Sequence, residues 1–111
     1  MNIRSMLATV AVVVALAGVA TAWAAPPPIE DLALARAAIE DAVAAGAPQY
    51  APEILRRARD ELEHGVAALE TADQADARRF AQDAQVDAEL AAITARARRA
   101  EQALAGASPA R

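Results

Sequence analysis

A chain of 111 residues with no cysteine, no lysine and one residue each of tryptophan, tyrosine and phenylalanine excludes disulfides, thiolate metal sites and an aromatic platform for stacking bases. Its formal net charge of -4 sets it against phosphate backbones and anionic lipid, so nucleic acid is not an expected partner. Hydrophobic residues make up 56% of the chain, most of them alanine, the best helix former and a poor source of buried area, so one small all-α domain is the expectation.

The first segment reads as an address. Arg4 is the only charge before Glu30, and the apolar run Met6 to Ala25 is centred on Val10, Val12, Val13, Val14 and Leu16. A basic start, an apolar stretch and small residues make the layout of a signal peptide. Ala22-Trp23-Ala24 supplies the A-x-A site, which puts cleavage between Ala24 and Ala25, in front of Pro26, Pro27 and Pro28. The competing reading is an uncleaved inner-membrane anchor, because the run reaches the roughly 20 residues that span a bilayer. Leu16-Ala17-Gly18 is followed by Val19 where a lipoprotein needs cysteine, so lipid attachment is not expected. Removal of residues 1–24 takes away Arg4 alone and leaves ten arginines against fifteen acids, a net charge of -5.

Residues 25–28 read as a proline-rich linker and Ile29 to Ala45 as the first helix, with Glu30 and Asp31 in its first turn, where the helix dipole favours them. Ile29, Leu32, Ile39 and Val43 lie close to one stripe, interrupted by Arg36. Gly46 and Pro48 form a stop signal, and Pro52 suits the first turn of a second helix. There Leu55, Ala58, Leu62, Gly65, Leu69 and Ala72 alternate by three and four residues in a narrow seam, with Gly65 suited to a close approach. Glu53 with Arg57 and Arg59 with Glu63 are at i,i+4 spacing. Asp73 is a good N-cap for a third helix from about Gln74 to Ala105, and Asp76 stands where a capping box has its acid. This helix carries Ala77, Ala81, Ala84, Ala88, Ala91 and Ala95 on one stripe. Val86, Leu90, Ile93, Ala97, Ala100 and Leu104 form a second, which predicts a helix touching two neighbours. Gly106 and Pro109 close it, leaving 106–111 as a disordered tail. The competing arrangement is one continuous helix from Pro52 to Leu104, which would have to dimerise to cover its seam; the cap and the second stripe favour the folded hairpin.

Ala47-Pro48-Gln49-Tyr50-Ala51-Pro52-Glu53, followed by Leu55, Ala58, Leu62, Ala67-Ala68-Leu69, Asp73, Ala77, Ala81, Ala84, Asp87-Ala88 and Leu90-Ala91, resembles the bacterial envelope family DUF4398. The resemblance covers about Leu34 to Glu101. It implies a domain of unknown function found in exported proteins and lipoproteins, some of which add an OmpA-type peptidoglycan-binding domain. This chain reads as a stand-alone member, with neither the lipid cysteine nor that module. Ala67 to Ala84 also resembles half of a tetratricopeptide repeat, with Ala77, Phe80 and Ala84 at packing positions, although one unit is too short for a solenoid.

Candidate chemistry is sparse. His64, the only histidine, has Asp60, Glu61 and Glu63 nearby, but a metal site needs several converging ligands, so a solvated helix face is the expectation. Asp73, Asp76, Asp83 and Asp87 lack EF-hand spacing and read as a cap and a solvated face. The only serines are Ser5 and Ser108, and no glycine-rich phosphate loop is present. Tyr50 is expected to pack where the first loop meets the helices, its hydroxyl on a backbone carbonyl or water. Arg96, Arg98 and Arg99 complement a helix C-terminus. The expected fold is therefore all-α: a signal peptide over 1–24, then a three-helix antiparallel, TPR-like hairpin domain over 29–105. The structural turn and cap positions are Gly46, Pro48, Tyr50, Pro52 and Asp73. The expected function is a non-catalytic periplasmic or secreted protein, without cofactor or metal and without membrane contact once cleaved, that meets an envelope protein or itself. A periplasmic holdase or a small-ligand or metal carrier is the alternative.

Overall fold

The structure, a computed structural model, describes residues 27–107. The predicted signal peptide with its cleavage positions Ala24 and Ala25, and residues 108–111 of the predicted tail, lie outside the described residues. Four helices follow one another: α1 (Pro28–Ala44), α2 (Ala47–Tyr50), α3 (Pro52–Glu70) and α4 (Gln74–Ala107). The described residues are all-α, with one helix more than the three expected.

The prolines start helices here. Pro28 belongs to α1 and not to the linker, because its fixed φ and missing N–H suit the first helical position. Pro52 opens α3 in the same way, and Pro48 lies in the first turn of α2. At the end of α1, the Ala45 N–H donates to the Asp41 carbonyl at 2.9 Å and the Gly46 N–H to that of Val43 at 3.0 Å. Gly46 takes φ +94°, which glycine adopts without penalty. The chain then winds one more turn, since the N–H groups of Gln49 and Tyr50 both return to the Gly46 carbonyl. That turn is the additional helix; a stop signal says where α1 ends, not what the next residues do.

The turn between α3 and α4 excludes the continuous helix. Asp73 N–H donates to the Ala68 carbonyl at 2.9 Å and Ala72 N–H to that of Leu69 at 3.1 Å, the paired bonds of a Schellman motif. Asp73 then caps α4 through its Oδ1, which accepts the Asp76 N–H at 3.0 Å. Ala72 holds the left-handed position at φ 62°, where glycine is usual. A left-handed alanine costs about 1–2 kcal/mol, partly offset by the extra freedom glycine has when unfolded. Ala72→Gly is therefore expected to raise stability by about 0.5–1 kcal/mol, read as a higher urea midpoint at unchanged slope. A lower midpoint would mean that the turn is relaxed as it stands.

Arg78 Nε reaches Asp31 Oδ2 at 3.3 Å at the start of α1, and Tyr50 reaches Gln102 near the end of α4. So α1 and α4 run the same way, with α3 antiparallel to both. α4 packs along the full length of both partners, which touch each other less. Its buried face is Ala77, Ala81, Ala84, Ala88, Ala91, Ala92 and Ala95. Against it lie Leu32, Ala35, Ile39 and Ala42 of α1 and Leu55, Ala58 and Gly65 of α3. Of the expected α1 stripe, Leu32 and Ile39 are buried, whereas Ile29 and Val43 are exposed and Ala35 and Ala42 complete the face. In the α3 seam Leu62 and Leu69 are half-buried, and Ala72 leaves it for the turn. A Cβ on Gly65 would stand 2.9 Å from Leu32 Cδ2, so this glycine is what lets Leu32 sit against α3. Helix α4 passes through the expected stop at Gly106 to Ala107, the last described residue, and a Cβ on Gly106 would meet nothing within 4 Å.

Candidate interaction surface

Helix α4 has two unlike apolar faces. At 3.6 residues per turn the buried alanines and the Val86, Leu90, Ile93, Ala97, Ala100, Leu104 stripe lie about 180° apart. The small residues face inward and the large ones face water: Val86 is 63% exposed, Ile93 63% and Leu104 73%. Leu90 is also exposed. This corrects the expectation of a second stripe packed within the chain. Alanine permits close approach, so one face of α4 serves both α1 and α3, and no helix among the described residues covers the second stripe. Exposed Leu34 of α1 widens this surface. Between α1 and α4 runs an open groove of about 420 Å³, floored by Ala38 and Ala92, walled by Leu34 and Ile93, and edged by Asp41, Glu89 and Arg96.

The flanks of α4 carry its polar contacts. The Tyr50 hydroxyl donates to Gln102 Oε1 at 3.0 Å, so its partner is a side chain and not the expected carbonyl or water. Arg98 Nη1 donates to the Tyr50 carbonyl, and the Arg99 guanidinium lies 5.7 Å from the Tyr50 ring centroid. The two arginines therefore serve the far end of α2 and tie the first turn to α4; they do not complement their own helix end as expected, because α4 runs on to Ala107 and its last turn holds no basic residue. Arg96 instead lines the groove.

The predicted acids divide between two places. Asp73 and Asp76 form the α4 cap, with Arg79 Nη2 3.3 Å from Asp76 Oδ1. Asp83 and Asp87 meet Glu61 across the α3–α4 seam, together with Arg57, whose Nε is 3.2 Å from Asp87 Oδ2. Arg57 thus pairs across the seam, and no ion pair with Glu53 occurs among the described residues. Glu61 Oε2 is enclosed without a donor among the described residues, and Asp87 is within hydrogen-bonding reach. A proton held on one of these carboxyls and shared with the other would supply the missing donor. Burial, reinforced by that hydrogen bond and by the charges of Asp87 and Asp83, raises the Glu61 pKa from 4.5 to about 7 against the pull of Arg57. A carboxyl whose pKa rises on folding stabilises the fold fully below its unfolded value and loses that contribution as pH climbs through the folded value. Melting temperature is therefore expected to fall between pH 4.5 and about 7 on this group's account. Glu61→Gln should flatten that window and leave the variant at least as stable at pH 8; an unchanged profile would remove the shared proton.

His64 is exposed, its ring 5.3 Å from that of Phe80, which Arg79 covers at 4.8 Å. Among the described residues no three metal-binding side chains converge, and no helix is long and apolar enough to cross a membrane. The sequence-level signal for the α3–α4 contacts is the hairpin itself. Arg57 and Asp87, like His64 and Phe80, lie equally far from Ala72, so folding the chain at that residue brings each pair together.

A family model described as "Domain of unknown function (DUF4398)" matches residues 30–107. No curated protein and no solved structure matches the chain.

Proposed function

The chain belongs to the DUF4398 family, and we propose that it is an exported, non-catalytic interaction module working through the outer face of α4. The observation that carries this is the row of large apolar side chains turned to water on a helix whose opposite face already holds the fold together. Large apolar side chains in one exposed row are a usual mark of a contact surface. Export rests on Arg4, the Met6 to Ala25 run and the Ala22-Trp23-Ala24 site. The non-catalytic reading rests on the absence of cysteine, on serines only at Ser5 and Ser108, and on an exposed His64 whose ring is tilted against that of Phe80.

The test is photo-crosslinking in cells that produce the full chain, with the reactive group at Ile93 on the outer face or at Arg56 on the polar side of α3. Discrete adducts at Ile93 and none at Arg56 are expected. Equal labelling at both positions, or none at either, would contradict the proposal. Mass spectrometry of the same protein is expected to find its N-terminus at Ala25; an intact Met1 would contradict release.

A further inference from the structure

We infer that the outer face of α4 docks on the same face of a second copy of this chain, the two helices running parallel. The inference rests on the interaction reading above and names its partner. The stripe alternates by four and three residues from Val86 to Leu104, the heptad spacing of a two-helix seam. Leu90, Ala97 and Leu104 take the a positions, and Val86, Ile93 and Ala100 the d positions. The seam is broad at Leu90 and Ile93 and narrow at Ala97 and Ala100, so it brings the helices closest in their C-terminal halves.

The flanking charges choose both the occupant and its direction. The g positions hold Glu89 and Arg96, and the e positions hold Asp87, Thr94 and Glu101. In a parallel pair each g residue faces the e residue of the following heptad on the partner helix. Arg96 then meets Glu101 of the second copy, twice by symmetry, Glu89 faces Thr94, and no like charges meet. An antiparallel pair in register, with Val86 against Leu104, sets Arg96 against its own copy and leaves Glu101 facing only Asp87, which Arg57 already holds. Like charges there are repulsive, so the parallel form is the one this surface fits. Neither Arg96 nor Glu101 takes part in an ion pair among the described residues, although Asp41 borders the same groove as Arg96. Both are therefore available to the second copy.

Because the chain has no cysteine, single cysteines report the direction cleanly. In a parallel pair each stripe residue meets its own copy, so Val86→Cys and Leu104→Cys should each give a covalent dimer on mild oxidation of the protein purified from cells producing the full chain. In the antiparallel pair Val86 faces Leu104, and only a mixture of the two variants crosslinks. Sedimentation equilibrium of the unmodified protein is expected to show a monomer–dimer equilibrium. Arg96→Glu alone should weaken it about tenfold, as should Glu101→Arg, and the double exchange should restore most of the affinity. A monomer at every concentration would overturn self-pairing, while Ile93 adducts to a different protein in cells would leave the interaction reading intact. Crosslinking only in the mixture, or a double exchange as weak as the single ones, would overturn the parallel register.

Discussion

Leu55→Ala is expected to cost about 3 kcal/mol, read as a lower midpoint of urea unfolding. Leu55 is 1% exposed, and among the described residues Leu32 is the only other large side chain so fully enclosed. It sits in a cluster made otherwise of alanines with Ile39, so few neighbours are bulky enough to move into the space its loss leaves. A domain of this size holds roughly 4–12 kcal/mol in total. The variant should therefore lose about a quarter or more of that stability, while the same change at exposed Leu90 should cost no more than about 0.5 kcal/mol. Equal losses at the two positions would mean that the outer face of α4 is not as distinct from the core as its exposure makes it.

The opposite error is expected to be nearly as damaging. Ala88 is 0% exposed in the same cluster, with Leu55, Ala58 and Ile39. Ala88→Leu adds three carbons where there is no space, and overpacking costs about 1–3 kcal/mol. Because α4 is clamped between α1 and α3, the added bulk must push one of them away and carry neighbouring alanine contacts with it. The upper end of that range is therefore expected, with broadened methyl spectra as a second sign of lost packing. A variant as stable as the parent would show that the alanine face is loosely filled.

The three long helices and the buried row of α4 are legible in the sequence, because alanines at three and four spacing and the residues Gly46, Pro52 and Asp73 act locally; the short α2 is not. The left-handed Ala72 was not, since its conformation is imposed by the turn and carries no glycine to announce it. The second stripe of α4 was seen as a pattern but assigned to a neighbour within the chain. A sequence gives the spacing of a stripe, not the number of helices that one face of alanines can hold. Tyr50 was placed correctly at the junction, yet its partner Gln102 lies 52 residues away and only the topology brings it there. Glu61 was grouped with His64 by proximity along one helix, whereas the fold sets it against Asp87 across the seam. The last three of these differences concern contact between helices, which periodicity within one helix does not encode.

The most direct test of the two-faced helix is one double variant, Leu90→Ser with Ile93→Ser, followed by both melting and crosslinking through a reporter at Val86. If the outer face is a contact surface, the melting temperature at low protein concentration stays within a few degrees of the parent while the crosslinked species disappears. A melting temperature that collapses as Leu55→Ala is expected to make it collapse would show that these side chains belong to the core. Crosslinking undiminished in a stable variant would show that the contact lies elsewhere.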